Sequence, residues 1–390
     1  MIAPVSATLL IEGIRKLGFK NKQISKKDLQ EIAAIIHDTN SRAYIKKNLE
    51  SRNFSLICTE KATYILCKTH LGHKRSAGGE KSGTIAIQIP RDQTRAPKLV
   101  YQLVSRDHLK TEDKEALAKE FEVQEDYAQK GIAPHVFDTF AYTKTRKDGS
   151  TVEKLTAFVE PFDSDLYAFD PLMKGRTFKL SSLFKLTTLS HEQVFAVAEQ
   201  VASYLQLLHA DNVAHRDIGT ENVGVWFTRK TINKLCLTDF KTLAPSDSEP
   251  LLTYGHFEYS APEYFSRTAN IDEKAADMYA LGILLSTIIK PEGKRTQPWE
   301  PSWIITLADL KEEAMAQDVD FYEFVFNSQE LAQVLSEQLA YRPTIRPEEA
   351  RNIKTFNQAV ISWCVHPNPA ERLTAHRLVE LCNAYKAQHK

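Results

Sequence analysis

The sequence has no net charge, no paired cysteines and no long apolar run. Fifty Lys and Arg residues offset fifty Asp and Glu in a chain of 390. That balance excludes a whole-molecule attraction to nucleic acid or to a membrane surface. The five cysteines (Cys58, Cys67, Cys236, Cys364, Cys382) are odd in number and widely spaced. They exclude a disulfide framework and fit a reducing compartment. None stands in a C-x-x-C pair, which argues against a structural zinc site. The longest apolar stretch, MYALGILLSTII at 278–289, falls well short of the ~20 residues that a membrane span requires. It reads as a buried helix. The N-terminal run in MIAPVSATLLIEGIRK has no basic residue before it and is interrupted by Glu12, the pattern of an amphipathic helix rather than a signal peptide. These absences predict a soluble, cytoplasmic protein without a membrane span.

What is present divides into three stretches. Residues 1–68 read as a small unit of their own. ATLLIEGIRKLGF, SKKDLQEIAAIIHD and SRAYIKKNLESRNF carry apolar residues at helical spacing, and FSLICTEKATYILCK reads as two strands around a polar turn. Three helices and a hairpin are the order of a winged-helix module, and ten basic residues against five acidic ones up to Arg52 make nucleic acid a candidate partner of this stretch. A helical extension packed on the next domain accounts for the same pattern, and the hairpin fits the following domain equally well. Residues 69–162 are mostly strand-like: SGTIAIQI, KLVYQLVS, VFDTFAYTKT and VEKLTAFVEP, the last two flanking the hairpin signal RKDGS. Between them TEDKEALAKEFEVQEDYAQKG predicts a helix with Leu117, Phe121 and Ala128 in line and Gly131 as its stop. Residues 163–390 are mainly helical, with Ser190 and Gln193 forming a capping box. The plan is α+β, with a small strand-rich lobe followed by a larger helical one.

The chemistry-bearing stretch is VAHRDIGTENVGV, 213–225. Phosphoryl transfer needs a carboxylate to orient the attacking hydroxyl, oxygen ligands for magnesium, and donors around the phosphates. Asp217 is placed for the first task. Asn222, and Asp239 at the end of the buried-strand pattern KLCLTDF, are placed for the second.

These residues, with TDFK (238–241), YGHFEYSAPE (254–263), ADMYALGILL (276–285) and HPNPAERLTAHRLV (366–379), resemble the motifs of the eukaryotic-type protein kinase family, in the family's order, from about residue 69 to 385. The resemblance implies a two-lobed protein-kinase-like fold that uses ATP with Mg2+ or Mn2+. It implies that Asp217, Asn222 and Asp239 are catalytic, the last two as metal ligands. Glu263 and Arg372 are implied as a buried ion pair, Asp277 as the anchor of the catalytic-loop backbone, and Arg216 as a bridge to the activation segment. In AFVEPFDSDLYAF, Val159 would be the gatekeeper, Glu160 to Phe162 would meet adenine, and Asp165 is either a ribose contact or a helix N-cap.

The chain also departs from the family. Laying LVYQ over the family's V-A-I-K puts Gln102 where the phosphate-binding lysine belongs, with Glu122 as the helix acid favoured by distance, Glu120 and Glu125 as alternatives, and Gln124 selected by helical phase. Lys81 is the leading replacement lysine, ahead of Lys74. The glycines of LGHKRSAGGEKSGTI, among them Gly72, Gly79 and Gly83, supply either a stretched phosphate loop or a plain hairpin tip. Gly219 replaces the lysine that steadies the γ-phosphate, His256 replaces its threonine partner, and Lys241 replaces the glycine of D-F-G. Among the activation-segment hydroxyls Ser246, Ser248, Thr253 and Tyr254, Thr253 is the leading candidate for phosphorylation and pairing with Arg216. The expected activity is transfer to a protein hydroxyl, Ser or Thr before Tyr. The alternative is a pseudokinase that regulates a protein partner. A divergent eukaryotic kinase and a bacterial or viral effector acting inside a host cell both fit the motifs.

Overall fold

The computed structural model describes residues 45–48, 54–67, 81–90, 95, 97–145, 148–165, 189–228, 231–246, 248, 259–265, 271–289, 310, 313–314, 316–317, 324, 328 and 342–389. They fall into two units, Met1–Pro161 and Phe162–Lys390.

The first unit is built on one antiparallel sheet. Its strands are β1 (Ile45–Asn48), β2 (Phe54–Cys58), β3 (Ala62–Cys67), β4 (Lys81–Pro90), β5 (Lys98–Ser105), β6 (Val136–Thr145) and β7 (Thr151–Val159). Their order across the sheet is β1-β2-β3-β4-β5-β7-β6. Helix α1 (Thr111–Gln129) connects β5 to β6. It ends as read from the sequence, with Gly131 at φ 78°, a left-handed position that glycine adopts without strain.

Alternation along the strands sends side chains to two different cores. Leu155, Ala157 and Val159 of β7, with Tyr101 and Leu103 of β5, pack against Leu117 and Phe121 of α1. Val100 and Phe158 point the other way, into a cluster with Ile57, Ala62, Tyr64, Leu66 and Ala86. Tyr64 stacks on Phe158 with ring centroids 3.5 Å apart, although two strands lie between β3 and β7 in the sheet. Such contact requires the sheet to curl, which the right-handed strand twist favours. The curl is fastened by polar groups. The Thr59 hydroxyl donates to Asp138 Oδ2 at 2.6 Å and the Tyr64 hydroxyl donates to the same oxygen at 3.2 Å. Asp138 sits at a register shift in β6, where a bulge re-aims the side chain. Burial and the adjacent carboxylate push the Tyr64 phenol well above its ordinary pKa.

Two expectations change here. The helix expected over 41–54 is not formed, because Ile45–Asn48 is a strand paired with β2. A short apolar run fits either period, and an available sheet edge decides it. The boundary expected at residue 68 falls inside the sheet, because β3 pairs with β4 from Ala62↔Pro90 to Leu66↔Ala86. Of the two readings open for the hairpin, it follows the second and joins the next domain, where Ile57, Tyr64 and Leu66 are buried. The two helices expected before it lie outside the described residues.

The second unit carries helices α2 (His191–Ala210), α3 (Glu273–Ile288), α4 (Ile353–Cys364) and α5 (Ala375–Gln388). The Ser190–Gln193 capping box forms at the start of α2. Helix α3, the MYALGILLSTII segment, is buried on nearly every side. At Gly282 a Cβ would lie 2.7 Å from Val365 Cγ1 and 2.8 Å from Cys364 Cβ, so only glycine lets α3 and the end of α4 approach this closely. Short strands complete the unit: β8 (Ser164–Asp165), β9 (Val213–Ala214), β10 (Val223–Thr228), β11 (Thr231–Leu237) and β12 (Ala244–Pro245). Strand β10 lies between β11 and β8, and β9 pairs with β12. Among the described residues no helix is long and apolar enough to cross a membrane.

Candidate functional site

The loop from β9 to β10 holds the residues with chemistry. Its backbone is fixed from below by α3. The Asp277 carboxylate accepts from the His215 and Arg216 amides, each at 2.8 Å, and lies 3.0 Å from His209 Nε2. A carboxylate that gathers several N–H donors in a buried place is held firmly. Arg216 takes a left-handed backbone, φ 67°, which an arginine adopts only under such restraint. The His215 ring is buried 5.6 Å from the Phe240 ring, and its carbonyl accepts from the Thr242 hydroxyl at 2.7 Å.

Asp217 then stands at the start of a turn that Asn222 closes. The Asn222 amide nitrogen donates to the Asp217 carbonyl at 2.8 Å and to its carboxylate Oδ2 at 2.9 Å. With its nitrogen so used, the Asn222 side chain has its oxygen left for a metal. Asp239, also left-handed at φ 63°, follows β11, with Lys241 Nζ 3.9 Å from its Oδ2. A carboxylate and an amide oxygen suit Mg2+, which takes few protein oxygens and completes its shell with phosphate and water.

The implied ion pair of Glu263 and Arg372 forms a fork, with Arg372 Nη1 to Oε1 at 2.6 Å and Nη2 to Oε2 at 2.7 Å, both residues buried. Arg216 reaches the activation segment as implied, by way of Ser248, whose Oγ accepts from its Nη2 at 2.6 Å. Thr253 lies outside the described residues. Two residues the sequence reading did not single out join this region. Glu273 Oε1 is 3.4 Å from Arg216 Nη2 and accepts through Oε2 from the Tyr264 hydroxyl. Burial raises the Glu273 carboxyl above its ordinary pKa, with Asp277 and Glu263 adding to the rise and Tyr264 and Arg216 offsetting only part of it. The Tyr259 hydroxyl is 2.8 Å from Thr220 Oγ1, and its ring would lie 3.3 Å from a Cβ built on Gly219. Glu273 follows the Asp272 N-cap of α3, a place where an acidic residue reads only as helix stabilisation.

In the first unit the site differs from the expectation. Gln102 is buried, but on the face of β5 away from α1, where its amide donates to Thr156 Oγ1 at 3.1 Å. The family's lysine pairs with an acid of this helix, so it must stand on the helix face, where β5 presents Tyr101 and Leu103. Gln102 therefore lies on the opposite face of β5 from Tyr101 and Leu103. Glu122 is exposed. The buried acid of α1 is Glu120, in helical phase with Leu117 and Gln124. Gln124 Nε2 donates to the Pro134 carbonyl at 2.9 Å, and Glu125 accepts from the Val136 amide at 2.6 Å. Gly83 and Lys81 belong to strand β4, in register with Leu103 and Ser105. Gly72 and Gly79 lie outside the described residues.

The linker residues divide between the units. The Glu160 amide donates to the His135 carbonyl at 2.8 Å, which leaves its own carbonyl as the group to offer. Phe162 opens the second unit, its ring edge-on to Trp226 at 6.1 Å. Asp165 ends β8, its backbone paired with Gly224.

The family model for the protein kinase domain matches residues 100–382, well over half of the chain. The chain is 32% identical over 155 residues to the serine/threonine-protein kinase PSK2 of Saccharomyces cerevisiae, covering 38% of this chain and 13% of that protein. It is 30% identical over 142 residues to the serine/threonine-protein kinase US3 homolog of Equine herpesvirus 1 (strain Ab4p), 36% of this chain and 32% of that one. It is 24% identical over 229 residues to a calcium/calmodulin-dependent protein kinase of Metarhizium anisopliae, 58% and 51% of the two lengths. The matched stretches span from 13% to about half the length of these relatives. The matched region contains the Asp217–Asn222 turn, its Asp277 anchor and the Glu263–Arg372 fork, and with these the chain belongs to the protein kinase family.

Proposed function

We propose that the chain is an ATP- and magnesium-dependent protein kinase that transfers the γ-phosphate to a serine or threonine hydroxyl of a protein. One observation carries the reading: the Asp217 carboxylate is held by Asn222 at 2.9 Å on a loop whose backbone Asp277 fixes. ATP bound with magnesium supplies the phosphoryl group. Asp217 orients the incoming hydroxyl and accepts its proton. Asn222, through its amide oxygen, and Asp239 would hold the metal. The Glu160 carbonyl and the Phe162 backbone would meet adenine, Asp165 would meet the ribose, and Lys81 is the candidate for the charge facing the phosphates. Serine or threonine is preferred to tyrosine because the relatives named above include serine/threonine-protein kinases.

The second reading is a pseudokinase that regulates a protein partner. It is favoured by β5, which presents Tyr101 and Leu103 to α1 where the family places its lysine. A label-transfer assay with γ-labelled ATP, magnesium and manganese, run beside Asp217→Ala, separates the two. Label that disappears in Asp217→Ala is expected. Equal label in both proteins, or none, removes the catalytic reading. Thermal stabilisation by ATP and magnesium without transfer then supports the pseudokinase.

A further inference from the structure

We infer that Glu273 is a positioning residue of the phosphotransfer site: its carboxylate supplies, from within the chain, the negative charge that docks Arg216 and, through Arg216, the activation segment, so that this segment needs no phosphate to take its working position. The part of this inference that concerns catalysis rests on the proposed kinase activity. The part that concerns docking does not.

The Arg216 side chain is 2% exposed and that of Glu273 0%. A guanidinium buried this far is costly unless an anion accompanies it. Two carboxylates face Arg216 from α3: Glu273 beside the guanidinium, and Asp277, which accepts from its amide. The guanidinium's remaining reach goes to the activation segment. Nη2 donates to Ser248 Oγ at 2.6 Å, to the Pro245 carbonyl at 3.2 Å and to the Ser248 carbonyl at 3.4 Å. Ser248 in turn donates through its hydroxyl to the Pro245 carbonyl at 2.7 Å. Pro245 is paired with Val213 of β9, the strand that leads into the catalytic loop.

Glu273 also holds the far end of the same segment. It accepts from Tyr264, and the turn Pro262–Phe265 that carries Tyr264 also carries Glu263, the partner of Arg372. One carboxylate thus joins the catalytic loop, the start of the activation segment and its end. An activation-loop phosphate works by giving a buried arginine a partner. Here the partner is already built into α3, so an added phosphate has less left to neutralise.

The test uses the full chain, treated with phosphatase and shown free of phosphate by intact mass. Hydrogen exchange is followed over 239–248, and transfer is measured with labelled ATP. Phosphate-free protein should transfer within about twofold of untreated protein. Glu273→Gln keeps an acceptor for Tyr264 and removes the charge. It should lower kcat at least about tenfold with a smaller change in the KM for ATP, and exchange over 239–248 should quicken. A phosphatase-induced loss of about tenfold or more, restored by phosphate on Ser246, Ser248, Thr253 or Tyr254, overturns the inference. So does Glu273→Gln exchanging like the parent.

Should Glu273→Gln fail to fold, Ser248→Ala takes its place. It leaves the ion pair and removes the shortest contact, and unchanged exchange over 243–248 overturns the inference equally. Protein that transfers nothing, but whose 239–248 segment loosens in Glu273→Gln, refutes the proposed activity and leaves the docking role standing.

Discussion

In the second unit, polar groups meet polar groups. Asp277 takes two loop amides, Asn222 holds Asp217, and Arg372 forks onto Glu263. In the first unit, β5 and α1 meet through Leu103, Tyr101, Leu117 and Phe121, while the bonds at Gln102–Thr156 and Asp138 lie on the opposite face of the sheet. The difference concerns what each unit spends its buried polar groups on. The helical unit uses them to hold a loop in a strained, left-handed conformation. The strand unit uses them to close a curled sheet.

The largest effect expected from breaking this contrast is at Arg372. Arg372→Leu leaves Glu263 as an uncompensated buried charge, which should lower unfolding stability by ~3–5 kcal/mol. The midpoint of urea unfolding measures it. Arg372→Leu with Glu263→Leu should recover most of the loss, because the fork costs desolvation as well as contributing attraction. A loss near zero in the single variant would mean that the fork is no more important than a surface pair.

A second comparison sharpens the first unit. Gln102→Lys places an ammonium inside the curl, away from α1. It should cost about 2–3 kcal/mol and bring no gain in transfer. Leu103→Lys places the charge on the helix face, at the interface of the helix that carries Glu120. It should raise the affinity for ATP and magnesium several-fold, about 1 kcal/mol, read by calorimetry. Tighter binding in Gln102→Lys and none in Leu103→Lys would reverse the face assignment.

That pair of positions also shows what could be read from the sequence and what could not. Asp217 and Asn222 were legible from their spacing of five residues, whereas the Asp277 anchor and the Glu263–Arg372 pair, distant in sequence, were implied only by the resemblance to the kinase motifs. The strand β5 was not legible. Sliding LVYQ by one residue exchanges Gln102 for Leu103 and turns every side chain to the other face. Composition around the strand gives no preference between the two registers. Helix α1 posed the same difficulty in another form. Distance in sequence favours Glu122, whereas the buried line through Leu117, Phe121 and Gln124 takes in Glu120. Strand β1 was lost to a helix reading because four residues are too few to show a period. Glu273 was out of reach for a different reason: its meeting with Ser248 at Arg216 depends on a loop path that no local pattern records.

The smallest expected effect lies at Gly219, and it tests whether the contrast between the units is real. A simple account of Gly219 makes it a loss, a steadying lysine gone from the catalytic loop just as the lysine is gone from β5. The geometry favours a different account. The Tyr259 ring lies where a Cβ on residue 219 would come within 3.3 Å, and its hydroxyl meets Thr220 at 2.8 Å. Ring and glycine fit one another, so that the loop between Asp217 and Asn222 is steadied by packing. Gly219→Ala then needs the ring to give by a few tenths of an ångström and should cost under about 1 kcal/mol. Gly219→Lys has to displace the ring and should slow transfer about two- to threefold, with no gain in ATP affinity. A tenfold gain in Gly219→Lys would mean that the helical unit too has lost a phosphate contact without replacing it. The two units would then differ only in degree, and the chain would stand closer to a pseudokinase throughout.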